Sequence, residues 1–157
     1  MKFLDLTLNN EHLKVFILSM LPITELRGSI PWAIKFYSLS VYEIVLISII
    51  GNILIGVLIL YAIGPVMYVL SKNNLFKNLL NYIFKRTKKK GKMIYLLKFY
   101  GLILFVGIPM PLTGVWTGSL AAFLFGLSRK KSIIAIALGV LISSFIVTSI
   151  SVFSIKL

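Results

Sequence analysis

The 157-residue chain has no cysteine, one histidine, and four acidic residues against seventeen lysines and arginines. Without cysteine there is no disulfide, no zinc–thiolate site and no thiol nucleophile. The histidine, His12, stands in a polar N-terminal stretch, and Asp5, Glu11, Glu25 and Glu43 are scattered along the first third of the chain. That spacing gives no metal-ligand cluster and no Ser-His-Asp arrangement, and it leaves little for two-carboxylate chemistry. The chain is therefore expected to be neither an enzyme nor a metal or cofactor protein. Leu13–Ile23 has the length of a signal-peptide core, but the first alanine is Ala33, so no A-x-A-like cleavage site follows. That stretch reads as part of the mature protein.

What is present is apolar. Hydrophobic residues make up 59% of the chain and charged residues only 13%, whereas an ordinary soluble domain is roughly half apolar and about a quarter charged. The composition is also too apolar for disorder. The net charge of +13 is concentrated: nine of the seventeen bases lie between Lys72 and Lys98, and three more form Arg129-Lys130-Lys131. A nucleic-acid surface would spread its bases over a face. Clusters separated by nearly uncharged sequence are the layout of a multi-pass membrane protein with basic cytoplasmic loops.

Four apolar blocks follow, at about 13–38, 44–70, 94–128 and 132–155. Ile44–Leu70 is uncharged over 27 residues, about 40 Å of helix, which exceeds a hydrocarbon core of roughly 30 Å. Tilt or a bend at Gly64-Pro65 is expected. Ile133–Ile155 is uncharged over 23 residues and suits one span. The other two blocks carry central prolines, Pro22 and Pro31 in the first and Pro109 and Pro111 in the third. Proline removes a donor and clashes with the preceding turn, so each block is expected to break in its middle. A break at membrane depth must be buried in protein or line a wet cavity.

The basic clusters select a topology. Residues 72–98 and Arg129-Lys130-Lys131 flank block three, and both belong in the cytoplasm. A single crossing would put one cluster outside; a re-entrant hairpin keeps both inside. Block one, treated in the same way, is a hairpin entering from the outside. The expected fold is an all-α integral membrane protein of one domain, 1–157, made of two inverted repeats. Repeat one (1–71) has hairpin 13–38 and span 44–70; repeat two (94–157) has hairpin 94–128 and span 132–155. A basic cytoplasmic amphipathic helix, 72–93, joins them. Inverted repeats with broken helices are a recurring plan of secondary transporters. Gly28-Ser29-Ile30 and Gly118-Ser119-Leu120 are a weak internal match. In the linker, Leu75, Phe76, Leu79, Leu80, Ile83 and Phe84 recur at helical spacing, followed by KRTKKKGK at 85–92. This reads as a helix on the inner membrane surface attracted to anionic lipid headgroups.

Charges inside an apolar block are costly, so Glu25 and Arg27 are the first site residues. With Pro22 and Pro31 on either side they are placed at a hairpin turn. They read either as an ion pair locking that turn, as residues of a short exposed turn, or as a proton-titrating Glu25 beside an anion-binding Arg27. Pro109, Pro111, Thr113, Trp116 and Thr117 crowd the second tip. The helical arms starting near Gly28 and Gly114 would point their free N–H groups at the centre, which suits a phosphate or carboxylate. Gly114-x-x-x-Gly118 permits close helix approach as well, and Trp116 serves either stacking on a ligand or packing. Asn52, within the first span, reads as an interhelical hydrogen bond or as part of a substrate path.

Pro-Ile-Thr-Glu-Leu-Arg-Gly-Ser-Ile-Pro at 22–31, with Pro109-x-Pro111-x-Thr113-Gly114-x-Trp116-Thr117-Gly118, resembles the small multidrug export protein family, which is similar to the DedA superfamily of re-entrant-loop membrane proteins. The resemblance covers nearly the whole chain. It implies two re-entrant hairpins, a prokaryotic cell membrane, and, by analogy with DedA-type proteins, proton-dependent movement of polyprenyl-phosphate or phospholipid headgroups. DedA proteins proper carry further arginine and acidic positions in each hairpin; block three here has neither. The expected function is a proton-coupled transporter or flippase for an anionic amphiphile. The alternatives are a small multidrug or cation exporter and a non-transporting membrane assembly factor. Four blocks are few to enclose a substrate path, so a homodimer is expected, with lipid as the other partner and no nucleic acid.

Overall fold

The computed structural model describes residues 10–70, 92–110 and 113–155. Among them there are six helices and no strand: α1 (Glu11–Met20), α2 (Glu25–Phe36), α3 (Val41–Leu70), α4 (Lys92–Gly107), α5 (Val115–Leu124) and α6 (Arg129–Ile155). The two long helices are those the uncharged blocks predict; α3 and α6 each hold an apolar stretch long enough to cross a bilayer. The proline-broken blocks become the short pairs α1–α2 and α4–α5. Residues 72–91, which hold most of the amphipathic linker helix, and Pro111 lie outside the described residues; 92–93, assigned to that linker from sequence, already belong to α4.

The first block breaks at Leu21–Thr24, beside Pro22, whereas Pro31 sits inside α2. The pair of prolines therefore does not bracket a turn, and Glu25 and Arg27 belong to the first turn of α2 instead. Pro31 lacks the N–H that would reach back to Arg27, but the helix continues because the neighbouring helices α3 and α6 pack along it. Pro65 is likewise inside α3, which runs continuously to Leu70.

On the long helices burial and polarity are reversed relative to a soluble protein. The buried face of α3 carries Ser48, Gly51, Asn52 and Gly56, and the exposed stripe is Leu46, Ile50, Leu54 and Leu58. In α6 Ser132, Gly139, Ser143, Ser144 and Ser151 are buried, while Leu138, Leu141, Phe145 and Phe153 are exposed. Small and weakly polar residues let helices approach and bond when the surrounding medium is apolar. Accordingly, a Cβ at Gly51 would meet the Phe16 carbonyl of α1 at 3.0 Å, and one at Gly139 would meet the Ile103 carbonyl of α4 at 2.9 Å. Thus α1 lies on α3 and α4 on α6 through matching glycine notches. The pairs also cross over, with α5 against α3 and α2 against α6. Ser29 of α2 and Ser48 of α3 share a buried hydrogen bond of 3.0 Å.

Contacts at the helix ends fix the arrangement. Glu11 at the start of α1 accepts from the Ser38 N–H just after α2 (3.1 Å), and His12 lies 3.7 Å from Glu43 at the start of α3. At the opposite end, Lys98 of α4 donates to the Phe125 carbonyl just after α5 (2.8 Å), and the Arg129 guanidinium of α6 stacks 5.2 Å over Tyr61 of α3. Each short pair therefore doubles back, leaving its break in the middle of the molecule.

Replacing Gly139 with leucine should push α4 off α6 and lower the midpoint of thermal unfolding in detergent, by an overpacking cost of about 1–3 kcal/mol. Gly101→Ala, whose new methyl meets nothing within 4 Å, should leave the midpoint unchanged or raise it. Equal midpoints for the two variants would exclude the notch.

Candidate functional site

The two breaks meet, and each is closed by side chains or backbone of the other. Glu25 opens α2 in a left-handed conformation, φ 44°, which is uncommon for a residue with a side chain. Its N–H still donates to the Leu21 carbonyl (2.9 Å), and the Thr24 hydroxyl donates to the Leu18 carbonyl (2.5 Å), so the turn itself is tied. The Glu25 carboxylate, 6% exposed, reaches α5: Oε2 accepts from Val115 N–H at 3.3 Å and Oε1 from Trp116 N–H at 3.2 Å. The first N–H groups of a helix have no partner within it, and its N-terminus favours negative charge. Gly114, at φ 146°, precedes them, and any Cβ there would overlap the carboxylate. Only glycine fits that position.

Arg27, two residues further on, points to the other side of the same break. Its Nη2 donates to the carbonyls of Val106 and Ile108, both at 3.2 Å, and its Nη1 to those of Met110 (2.5 Å) and Thr113. These carbonyls lie at the end of α4 and beyond it, where helical pairing runs out and a cation is favoured by both hydrogen bonding and the helix dipole. The Thr113 hydroxyl lies 2.9 Å from the Ile108 carbonyl and 2.8 Å from that of Met110, bracing the same segment. In return, Trp116 Nε1 donates to the Met20 carbonyl at the end of α1 (3.0 Å), and Asn52 Nδ2 donates to the Ser19 carbonyl (2.8 Å). Of the readings open for Glu25 and Arg27, the direct ion pair is not what the side chains form. The two side chains diverge along α2 and fasten the second break instead of each other.

Two cavities border these residues. One, of about 610 Å³, lies between the breaks and is lined by Pro22, Thr24, Glu25, Arg27, Trp116 and Thr117 among others. The second, of about 770 Å³, lies towards the far ends of α2 and α6, where Lys35, Ser151 and Ser154 line it together with Arg27 and Pro109.

A family model described as "Putative small multi-drug export protein" matches residues 25–146, well over half of the chain. The chain belongs to this family. No curated protein and no solved structure matched. The span matched by the small multi-drug export family begins at Glu25 and takes in both capping residues, both cavities' central lining and α3, but not α1. Membership and the two apolar helices together make the chain a membrane protein.

Several sequence-predicted site residues converge in this family member: Glu25, Arg27, Gly28, Thr113, Trp116 and Thr117 line the central cavity with Pro22 and Pro109. Others do not. Gly118 packs against Val106 of α4, Pro31 lines the second cavity, and Asn52 holds the end of α1 rather than facing a path. At the α5 N-terminus the Val115 and Trp116 N–H groups are taken by Glu25, and four carbonyls engage the Arg27 terminal nitrogens. The carbonyl acceptors of Arg27 escaped sequence reasoning, since backbone groups carry no residue code. Lys35, Ser151 and the Ser29–Ser48 pair were also missed; small polar residues inside apolar helices were the available signal for the serines.

Arg27→Ala should strand the Val106 and Thr113 carbonyls, while those of Ile108 and Met110 keep Met110 N–H, Thr113 N–H and the Thr113 hydroxyl, and so cost a few kcal/mol, at about 1–3 kcal/mol for each one left unpaired. Arg27→Lys, which keeps three donors, should retain part of that. Trp116→Phe removes a single hydrogen bond, worth about 1 kcal/mol. Unfolding midpoints in detergent check the ranking, and an Arg27→Ala protein as stable as Trp116→Phe would contradict it.

Proposed function

We propose that the chain is a multi-pass membrane exporter of small apolar cations, in which Glu25 exchanges the substrate for a proton in the central cavity. The observation that carries this is the unequal state of the two charges. Among the described residues Glu25 is the buried acid; Glu11 and Glu43 lie at the loop end. A carboxylate offers about four acceptor sites, and Glu25 uses two of them. It retains capacity for a cation or a proton, one of which offsets the cost of a charge held away from water. The terminal nitrogens of Arg27, by contrast, are engaged with the chain's own carbonyls. Protonation releases the α5 N–H groups from a charged cap, which couples proton uptake to the junction between the breaks. The family description, multi-drug export, agrees with this substrate class.

In this reading α1–α2 and α4–α5 are re-entrant hairpins, each followed by a span, in two halves of opposite orientation. The doubling-back contacts, the paired glycine notches and the crossed packing support it. The basic cluster at Arg129 supports a cytoplasmic position for that end of the molecule. The exporter acts without enzymatic chemistry, as a homodimer in a cell membrane, with residues 72–98 against anionic lipid. A second reading, movement of an anionic amphiphile as in DedA-type proteins, rests on two buried unpaired groups beside the cavity, Arg27 Nε and Thr117 Oγ1.

Two measurements test this. In sealed vesicles of known orientation, single cysteines replacing Leu97 and Lys130 should react with an impermeant thiol reagent from the same face; opposite faces would exclude the re-entrant second pair. In proteoliposomes with an imposed proton gradient, the wild-type protein should accumulate a lipophilic cation, and Glu25→Gln should abolish this while still eluting as folded protein. Polyprenyl-phosphate movement without cation transport would overturn the cation reading in favour of the second.

A further inference from the structure

Two of the cavities border the same residue pair. The central cavity, of about 610 Å³, and the second cavity, of about 770 Å³, have two lining residues in common, Arg27 and Pro109. We infer that Arg27 and Pro109 form a gate between the substrate cavity and an exit vestibule lined by Lys35, Ser151 and Ser154, with the Arg27 guanidinium as its bolt.

The physical basis is the position of the bolt. Arg27 stands on the first turn of α2, a helix anchored by Ser29 to α3 and packed along α6. Its terminal nitrogens hold the carbonyls of Val106, Ile108, Met110 and Thr113, so the segment that carries Pro109 is pulled against it. Pro109 lies between these acceptors in sequence and has no N–H of its own to anchor it elsewhere. The wall between the cavities is thus closed by hydrogen bonds to a strand of backbone rather than by packed side chains. Such a closure opens when the guanidinium lets go of a few carbonyls, with no repacking of the α3–α6 core. Glu25 lies two residues away on the same turn, and its bonds to the Val115 and Trp116 N–H groups hold the other end of the same break. A change at the carboxylate therefore reaches the gate through α2, which carries both residues.

The vestibule has its own chemical character. Its charged lining is basic, Arg27 and Lys35, with two serine hydroxyls and the apolar Ile34, Val147 and Ile150. A cation in the vestibule meets the positive charge of Arg27 and Lys35 and no acid, so it is disfavoured there from either side.

The gate rests on the transport reading for its purpose but not for its test, because thiol labelling needs no transport. The chain has no cysteine, so single cysteines report without background. In sealed vesicles with the Ser154 end outward, an impermeant maleimide should label Ser154→Cys in every background. Thr117→Cys, at the position whose buried hydroxyl borders the central cavity, should be labelled at least about tenfold more slowly than Ser154→Cys while Arg27 is present, and at a comparable rate after Arg27→Gln. Pro109→Ala, which thins the other half of the wall and leaves Arg27 in place, should give the same acceleration if Arg27→Gln fails to fold. Rapid labelling of Thr117→Cys with both wall residues intact would overturn the gate, as would slow labelling in a folded Arg27→Gln or Pro109→Ala protein. Accelerated labelling in a protein that moves neither cations nor polyprenyl phosphate would keep the gate and remove the transport reading.

Discussion

A helix that stops short leaves N–H groups at one end and carbonyls at the other, and an apolar surrounding offers them nothing. This chain stops two helices in mid-molecule, and the site is what satisfies them. Glu25 supplies the anion for the α5 N-terminus and Arg27 the cation for the end of α4. Trp116 and Asn52 close the end of α1 in return. The residues that stand out as chemically active are therefore also those that let the fold exist. The structural demand on Arg27 is the heavier, because it serves four acceptors, while Glu25 keeps acceptor capacity free for a ligand.

The long helices provide the frame for this junction. Their buried faces mix small or weakly polar residues with a few aliphatic ones such as Ile44, Leu60, Ile136 and Val140, and their outer faces are rich in leucine, isoleucine and phenylalanine. In water that arrangement would be inverted; in lipid the exposed stripe costs nothing, and the notches at Gly51 and Gly139 let the short helices lie close enough to place their ends within hydrogen-bonding distance of each other. Close packing and functional geometry are thus one requirement. An ångström of separation at either notch would pull Glu25 from α5 or Arg27 from its carbonyls.

Much of the fold was legible in the sequence because it rests on uncharged length and proline position. The α3 and α6 blocks appear within a few residues of where the charge-free runs put them, and the break beside Pro22 falls where proline chemistry demands one. Pro31 misled because a helix tolerates proline where neighbours pack along it, so the two prolines did not mark both edges of a turn. Glu25 and Arg27 were legible as a site because charge is scarce in the apolar blocks. Their partners were not: the spacing Glu-Leu-Arg suggests a pair, and only the left-handed turn at Glu25 shows that the two side chains part. The serine and glycine faces were visible as residue types, but which helix each would meet depends on tertiary packing that no local pattern encodes.

The central claim is that Glu25 caps α5 and is not the salt-bridge partner of Arg27. Solid-state NMR dipolar recoupling in lipid bilayers tests it directly, with a labelled Glu25 carboxyl carbon read against labelled backbone nitrogens of Val115 and Trp116 and against the Arg27 guanidinium. The capped arrangement predicts strong dephasing from the Val115 and Trp116 nitrogens and weaker dephasing from Arg27. Dominant coupling to the guanidinium, with none to α5, would contradict it.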